Sequence, residues 1–299
     1  MSTQGLRDTA RAFNESVQPI VAPMADEVGE YFDRNHEVLT AIYRGNMHFG
    51  YWTGPDDDAG FEEATTRLTD LVIDELGVGA GARVLDLGCG IGRPAVRLAE
   101  RTGAEVVGVS VSRKDVARAG ETAAAAGLAD IVSFQVADAM ALPFEDESFD
   151  AVFALGSMGH MPDRAVVLKE VARVLRPGGR VVLTDEVLRG AALEDEEQAY
   201  ILAVVAATWC AGPPTVAERY SDYCRVAGLE LDDMVDITEH TKYTFSKIFE
   251  GLQEYRAEHG DLPEDMAEIL EMGEGIDWDE HHSEEQTEGA VIVTAHRGK

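Results

Sequence analysis

The sequence predicts an α/β protein built on a doubly wound, seven-stranded sheet. Apolar, strand-length runs alternate with helix-period segments between residues 83 and 185, as a parallel sheet with helices on both faces requires. The first run, Arg83 to Leu87, breaks into the glycine turn Gly88-Cys89-Gly90-Ile91-Gly92. Glycine there lets a ligand lie against bare backbone between a strand and a helix N-terminus. Two more strand candidates near the end of the chain, 229–239 and 290–296, bring the strands to seven.

In chain order, residues 5–45 carry helical spacing (Leu6, Ala10, Phe13, then Val28, Tyr31, Phe32, Val38, Leu39, Ile42), interrupted near Pro19 and Pro23. Gly54-Pro55 with Asp56 to Asp58 reads as a loop, and a helix follows over 61–76. Strands are expected at 83–87, 105–110, 131–136, 149–155 and 180–185, with helices at 92–101, 113–126 and 163–175 between them. Arg176-Pro177-Gly178-Gly179 ends the last of these helices and turns into the fifth strand. Residues 190–222 interrupt the alternation with an acidic, then apolar helical segment. A long acidic helical stretch over 243–273 separates the last two strands. The organisation predicted is an N-terminal helical layer (1–60), a core (61–189), a cap insert (190–228) and the final strands with their acidic helical insert (229–299).

Length and composition narrow the function classes. A chain of 299 residues with 45% apolar content can bury a full core. No window approaches the uninterrupted apolar length of a membrane span, and the first residues lack a basic-then-apolar leader. A cytoplasmic protein without membrane insertion is expected. Cys89, Cys210 and Cys224 are scattered and read as free thiols. The net charge of −31, from 56 acidic against 25 basic residues, argues against nucleic acid or an anionic membrane as partner. Residues 250–289 hold fifteen acids and one base, Arg256. That block is a solvated face or a surface for a cationic partner. A homo-oligomer remains open.

The glycine turn lacks the G-x-G-x-x-G spacing of a dinucleotide fingerprint. Its G-x-G-x-G, with Asp86 two residues ahead of Gly88, resembles motif I of class I S-adenosylmethionine (SAM)-dependent methyltransferases. The resemblance implies a Rossmann-like core with SAM as cofactor and S-adenosylhomocysteine as product. It implies that the turn (Gly88, Gly90, Gly92) backs the methionine moiety and that Asp86 anchors the amino group through it. Strand two ends in Ser110 where many such enzymes carry a ribose-binding carboxylate. Serine there resembles the small-molecule subgroup of ubiquinone, tocopherol, sterol and natural-product methyltransferases. The resemblance further places Asp138 on the adenine amine, with Ala139 donating from its backbone, and Leu155 beside the cofactor. Asn46-Met47-His48-Phe49-Gly50-Tyr51-Trp52 resembles an H-F-G-Y-W box of the same subgroup, with Tyr51 near the methionine carboxylate or sulfonium. From the residues alone the box reads as a core aromatic cluster.

Methyl transfer to a hydroxyl or amine needs alignment and a base, and no metal. Gly156-Ser157-Met158-Gly159-His160-Met161-Pro162-Asp163-Arg164 and Leu183-Thr184-Asp185-Glu186 resemble the segments after strands four and five of actinomycete natural-product methyltransferases of the rebeccamycin sugar O-methyltransferase type. His160 matches the second histidine of their pair and Asp185 their strand-five aspartate, while Gly159 and Gly156 replace a histidine and a glutamate. His160 is therefore a candidate base with Asp185 as its partner, or a cap on the helix near Asp163 with Asp185 buttressing a loop. Gly156 and Gly159 widen the pocket floor, and Tyr200, Trp209 and Tyr220 are candidates to line it, with Tyr223 also within the presumed cap. The acceptor expected is a small, largely apolar metabolite methylated on oxygen. C-methylation of a prenyl or sterol-like double bond, or a SAM-binding cyclase that transfers no methyl, are the alternatives. His281-His282 carries a metal only as a remote reading.

Overall fold

The computed structural model describes residues 22–189, 206–273 and 288–299. Residues 5–21, Tyr200 and His281-His282 lie outside the described residues.

The elements run α1 (Ala25–Ile42), α2 (Phe61–Leu76), β1 (Arg83–Leu87), α3 (Arg93–Thr102), β2 (Glu105–Ser110), α4 (Arg113–Ala125), β3 (Val132–Val136), β4 (Phe149–Ala154), α5 (Arg164–Val174) and β5 (Leu175–Leu188). They continue with β6 (Thr215–Val216), α6 (Arg219–Ala227), β7 (Leu229–Asp236), α7 (Thr238–Thr241), α8 (Thr244–His259), α9 (Glu264–Gly273) and β8 (Glu288–Arg297). The sheet order is β3-β2-β1-β4-β5-β8-β7. The first five strands are parallel, and β8 runs antiparallel to both β5 and β7. An eighth, two-residue strand, β6, adds to the end of β5 at Val187 and Leu188. No helix among the described residues is long and apolar enough to cross a membrane.

Period-two alternation divides the core. Val84 faces α2 and α3 through Leu68, Val72, Leu98 and Ala99, whereas Leu85 and Leu87 face α5 and α6 through Leu168, Val171 and Tyr220. The strands of β1 and β4 are buried on both faces, which is why they read as near-continuous apolar runs. A separate layer forms where α1 meets α8 and α9, with Val38, Leu39 and Ile42 against Ile248, Leu252 and Ile269. The acidic stretch expected as one helix is two, because Gly260 and Pro263 end one and precede the next. Its apolar face is buried in that layer, so its acids face outward.

Helix α1 crosses the sheet's ligand edge and is pinned to α4. Ser112 Oγ donates to Asp33 Oδ1 over 2.7 Å, the Lys114 amide donates to the same oxygen, and His36 Nδ1 lies 2.6 Å from Asp115 Oδ1. The helix therefore roofs the crevice where the strand order reverses between β1 and β4, the place a ligand is expected in an open α/β sheet.

Candidate active site

Two adjoining cavities open beyond the carboxyl ends of the strands. The first, about 920 Å3, is lined by Asp86, Gly88, Gly90, Ser110, Asp138, Ala139 and Leu155 from the core and by Val28 and Phe32 from α1. The second, about 950 Å3, is lined by Gly159, Asp185, Trp209 and Phe245 with Tyr31 of α1 and Tyr43 just past its C-terminal end. Phe32, Met47, His48, Gly156 and His160 line both.

The glycine turn is bare for structural reasons. Gly88 (φ +84) packs so closely on Ser157 that a Cβ would sit 2.3 Å from the serine Cβ, and Ser157 Oγ donates to the Leu87 carbonyl over 2.6 Å. Gly90 (φ +47) meets only the flexible end of Met47 and otherwise faces the cavity. Asp86 is 2% exposed, and its Oδ2 is buried with no hydrogen-bond partner among the described residues. Burial pushes its carboxyl well above the usual carboxylate range. An orphaned acidic oxygen beside a cavity is a group awaiting a cationic or donating ligand.

His160 ends a single 3-10 turn, Met158–His160, after β4. Its Nδ1 lies 3.1 Å from the Cys210 carbonyl oxygen. A carbonyl only accepts, so Nδ1 carries the proton and Nε2 keeps its lone pair. Burial lowers the imidazole pKa, opposed by the Cys210 hydrogen bond and the nearby Asp185 charge. Cys210 holds φ +54, a conformation that costs a non-glycine residue about 1–2 kcal/mol and turns its carbonyl toward the ring. The Phe32 ring meets the imidazole edge-on at 5.0 Å. His160 does not cap α5: Asp163 does, accepting from the Ala165 and Val166 amides.

Asp185 lines the second cavity but has no hydrogen bond to His160. Arg164 Nε approaches its Oδ2 to 2.6 Å and the Tyr220 hydroxyl donates to the same oxygen over 2.7 Å. The Asp–Arg pair is buried on both sides, where removing one partner costs about 3–5 kcal/mol. Asp185 thus acts on His160 through its field, while the Cys210 carbonyl orients the ring.

The structure puts three expected site residues elsewhere. Gly92 is the residue before α3 and packs on Phe134 and Ala119 outside the cavity. Tyr51 stacks on His240 with ring centres 4.3 Å apart, and Trp52 is buried on Phe61, so that end of the aromatic box is core. Tyr220 is fully buried and spends its hydroxyl on Asp185 rather than on a pocket. Conversely, sequence reasoning passed over Asp115, Tyr31, Tyr43, Glu186 and Glu288, which all line a cavity. Tyr31, Leu39 and Tyr43 do form a helical stripe at spacings of eight and four, a signal legible in principle. His48 lines both cavities but is hydrogen-bonded at both ring nitrogens, to Phe49 O and Thr69 Oγ1. Burial drops its pKa to about 4, which leaves it neutral.

A family model described as a methyltransferase domain matches residues 85–183. The 27-O-demethylrifamycin SV methyltransferase of Amycolatopsis mediterranei strain S699 is 38% identical over 286 residues, 92% of this chain and 98% of that protein. The chain belongs to the class I SAM-dependent methyltransferases. Methyltransferase GfsG of Streptomyces halstedii is 43% identical to this methyltransferase over 218 residues, 73% of the chain and 78% of that protein. Among solved structures, that of the [4+2]-cyclase SpnF matches 93% of the methyltransferase and 97% of its own chain, at 31% identity and a TM-score of 0.78.

SAM is the cofactor, and the first cavity fits it: a bare glycine cradle, and an orphaned carboxylate oxygen on Asp86 for a charged amine. Asp86→Asn should weaken S-adenosylhomocysteine binding roughly 10- to 100-fold, since hydrogen bonds to charged groups are the strong ones. The free variant should unfold no earlier than the parent. The parent's Asp86 pKa is raised, so the folded state holds an extra proton above the unfolded carboxylate value of ~3.9. Its contribution therefore lowers stability as pH rises from there toward the raised pKa. Thermal melts of both proteins across that range check this: a parent penalty that does not grow with pH contradicts it.

Proposed function

We propose that the methyltransferase methylates a hydroxyl of a small, largely apolar metabolite, with His160 accepting the proton. The observation that carries this is the placement of His160 where the two cavities meet, its Nε2 free and its Nδ1 held by Cys210. SAM, when bound, supplies a sulfonium methyl and departs as S-adenosylhomocysteine. The cofactor cavity positions it through Asp86, Asp138 and the glycine backbone. Asp115, nearly fully buried on the same cavity, supplies the carboxylate that Ser110 lacks and takes the ribose hydroxyls. In the second cavity Tyr43, Trp209 and Phe245 align the acceptor and exclude water. The acceptor oxygen forms the new bond to carbon, the carbon–sulfur bond breaks toward sulfur, and the hydroxyl proton passes to His160 Nε2.

The names of both relatives support the class, one of them naming O-demethylated rifamycin as what that enzyme acts on. The SpnF likeness favours a second reading, cyclisation with the cofactor as scaffold. Incubation with methyl-labelled SAM and a panel of hydroxylated polyketides separates them. Label on an acceptor oxygen with matching S-adenosylhomocysteine supports the proposal, and label on carbon supports C-methylation. An isomerised acceptor with no S-adenosylhomocysteine supports cyclisation.

A further inference from the structure

The acceptor cavity ends in polar groups that proton transfer does not use. Glu186 of β5 and Glu288 of β8 both line it. The antiparallel register sets Glu186 opposite Ala290 and Leu188 opposite Glu288, so the two acids are diagonal neighbours on one face. Burial raises the proton affinity of both, and for Glu186 the Glu288 charge adds to it. No lysine or arginine lines the cavity among the described residues, and Arg164 is already engaged by Asp185.

An independent feature lies on the same wall. Tyr31 is 5% exposed, lines this cavity, and its hydroxyl has no hydrogen-bond partner among the described residues. Buried hydroxyls are nearly always paired, and an unpaired one costs stability. Tyr31, Tyr43, Glu186 and Glu288 all line this one cavity, and Tyr31 also borders a neighbouring one with Arg34, Cys210 and Asp265. The remaining wall is apolar or aromatic: Leu39, Phe49, Trp209 and Phe245.

We propose that Glu186, Glu288 and the Tyr31 hydroxyl form a second polar anchor, which takes a hydroxyl of the acceptor other than the one methylated. This rests on the second cavity being the acceptor site. The acceptor class is then an uncharged, mostly apolar molecule bearing at least two hydroxyls. An anion is repelled by the acids. While one of the two carboxyls stays protonated, the pair both donates and accepts, which matches a hydroxyl, whereas an ammonium is matched only when both are ionised.

The test uses α,ω-diols (hexane-, octane-, decane- and dodecanediol) against the primary alcohols, ω-amino alcohols and ω-hydroxy carboxylates of equal length. Binding is measured by calorimetry with and without S-adenosylhomocysteine, so failure of cofactor binding reads out separately from failure of the anchor. The best diol should bind about 10-fold tighter than its matched alcohol, the worth of one well-made hydrogen-bonded anchor. The amino alcohol should bind less tightly and the carboxylate not at all. Tyr31→Phe and Glu288→Gln should each narrow the diol advantage to about threefold or less. Tyr31→Phe should do so without lowering the melting temperature, because its hydroxyl is unpaired in the free protein. A diol no better than its alcohol, including no binding of either, overturns the proposal. So does an advantage unchanged in both variants, and so does an amino alcohol that binds tighter than the diol.

Discussion

Gly90→Val is expected to abolish binding of SAM and S-adenosylhomocysteine while the protein still folds. Gly90 lines the cofactor cavity at φ +47, and its missing Cβ points at nothing but the Met47 methyl, 2.7 Å away. Met47 is flexible at that end and can yield. The backbone strain of a non-glycine residue there is about 1–2 kcal/mol, tolerable for a folded domain of this size. The branched side chain, however, occupies space the ligand needs. Calorimetry on the variant, beside a melting curve to show that it is folded, gives the answer. Affinity equal to the parent's in a folded variant would overturn the assignment of this turn to the cofactor. Gly90→Ala, which fills less space, should lose part of the affinity.

His160→Ala is expected to keep SAM affinity nearly intact and to slow methyl transfer roughly 100-fold or more, the usual worth of a positioned base. The anchors proposed for the cofactor, Asp86, Asp138 and the glycine backbone, are all left in place. In the parent, burial lowers the His160 pKa, so the neutral, proton-accepting form persists below the ordinary histidine value of ~6.5. Activity should therefore fall as pH drops through that lowered pKa and stay level as pH rises past neutrality. His160→Ala should lose this acid limb. A variant with the parent's rate, or one that is slower but keeps the same limb, would make His160 a structural residue.

The part of the fold that is parallel and local was legible. Strand β2 and helix α2 fall on the expected residues, since a strand buried on both faces and an amphipathic helix write their period into the chain. Strand β5 was expected at 180–185 and runs from Leu175 to Leu188. The Pro177-Gly178-Gly179 segment reads as a turn and interrupts the pairing: Leu175 already pairs with Phe149, and the register resumes with Arg180 opposite Ala151. The cofactor cavity was legible because its residues sit at strand ends that follow one another in sequence. The acceptor cavity was legible in part: Gly156, Gly159, His160, Asp185 and Trp209 line it as expected, but the rest of its wall is assembled by contacts distant in sequence. Glu288 joins Glu186 through the antiparallel pairing of the last strand, and Tyr31 descends from α1. Nothing local marks such neighbours. Tyr51 shows the reverse case, where a motif suggests a ligand contact and the half-buried ring instead stacks on His240 against the edge of the core.

The most direct measurement is calorimetric titration of the purified protein with SAM and with S-adenosylhomocysteine, using NAD as control. Micromolar binding of both sulfur ligands and none of NAD is the predicted result. Binding of NAD, or no binding of either sulfur ligand to folded protein, would contradict the assignment of the first cavity and the methyl-transfer chemistry built on it.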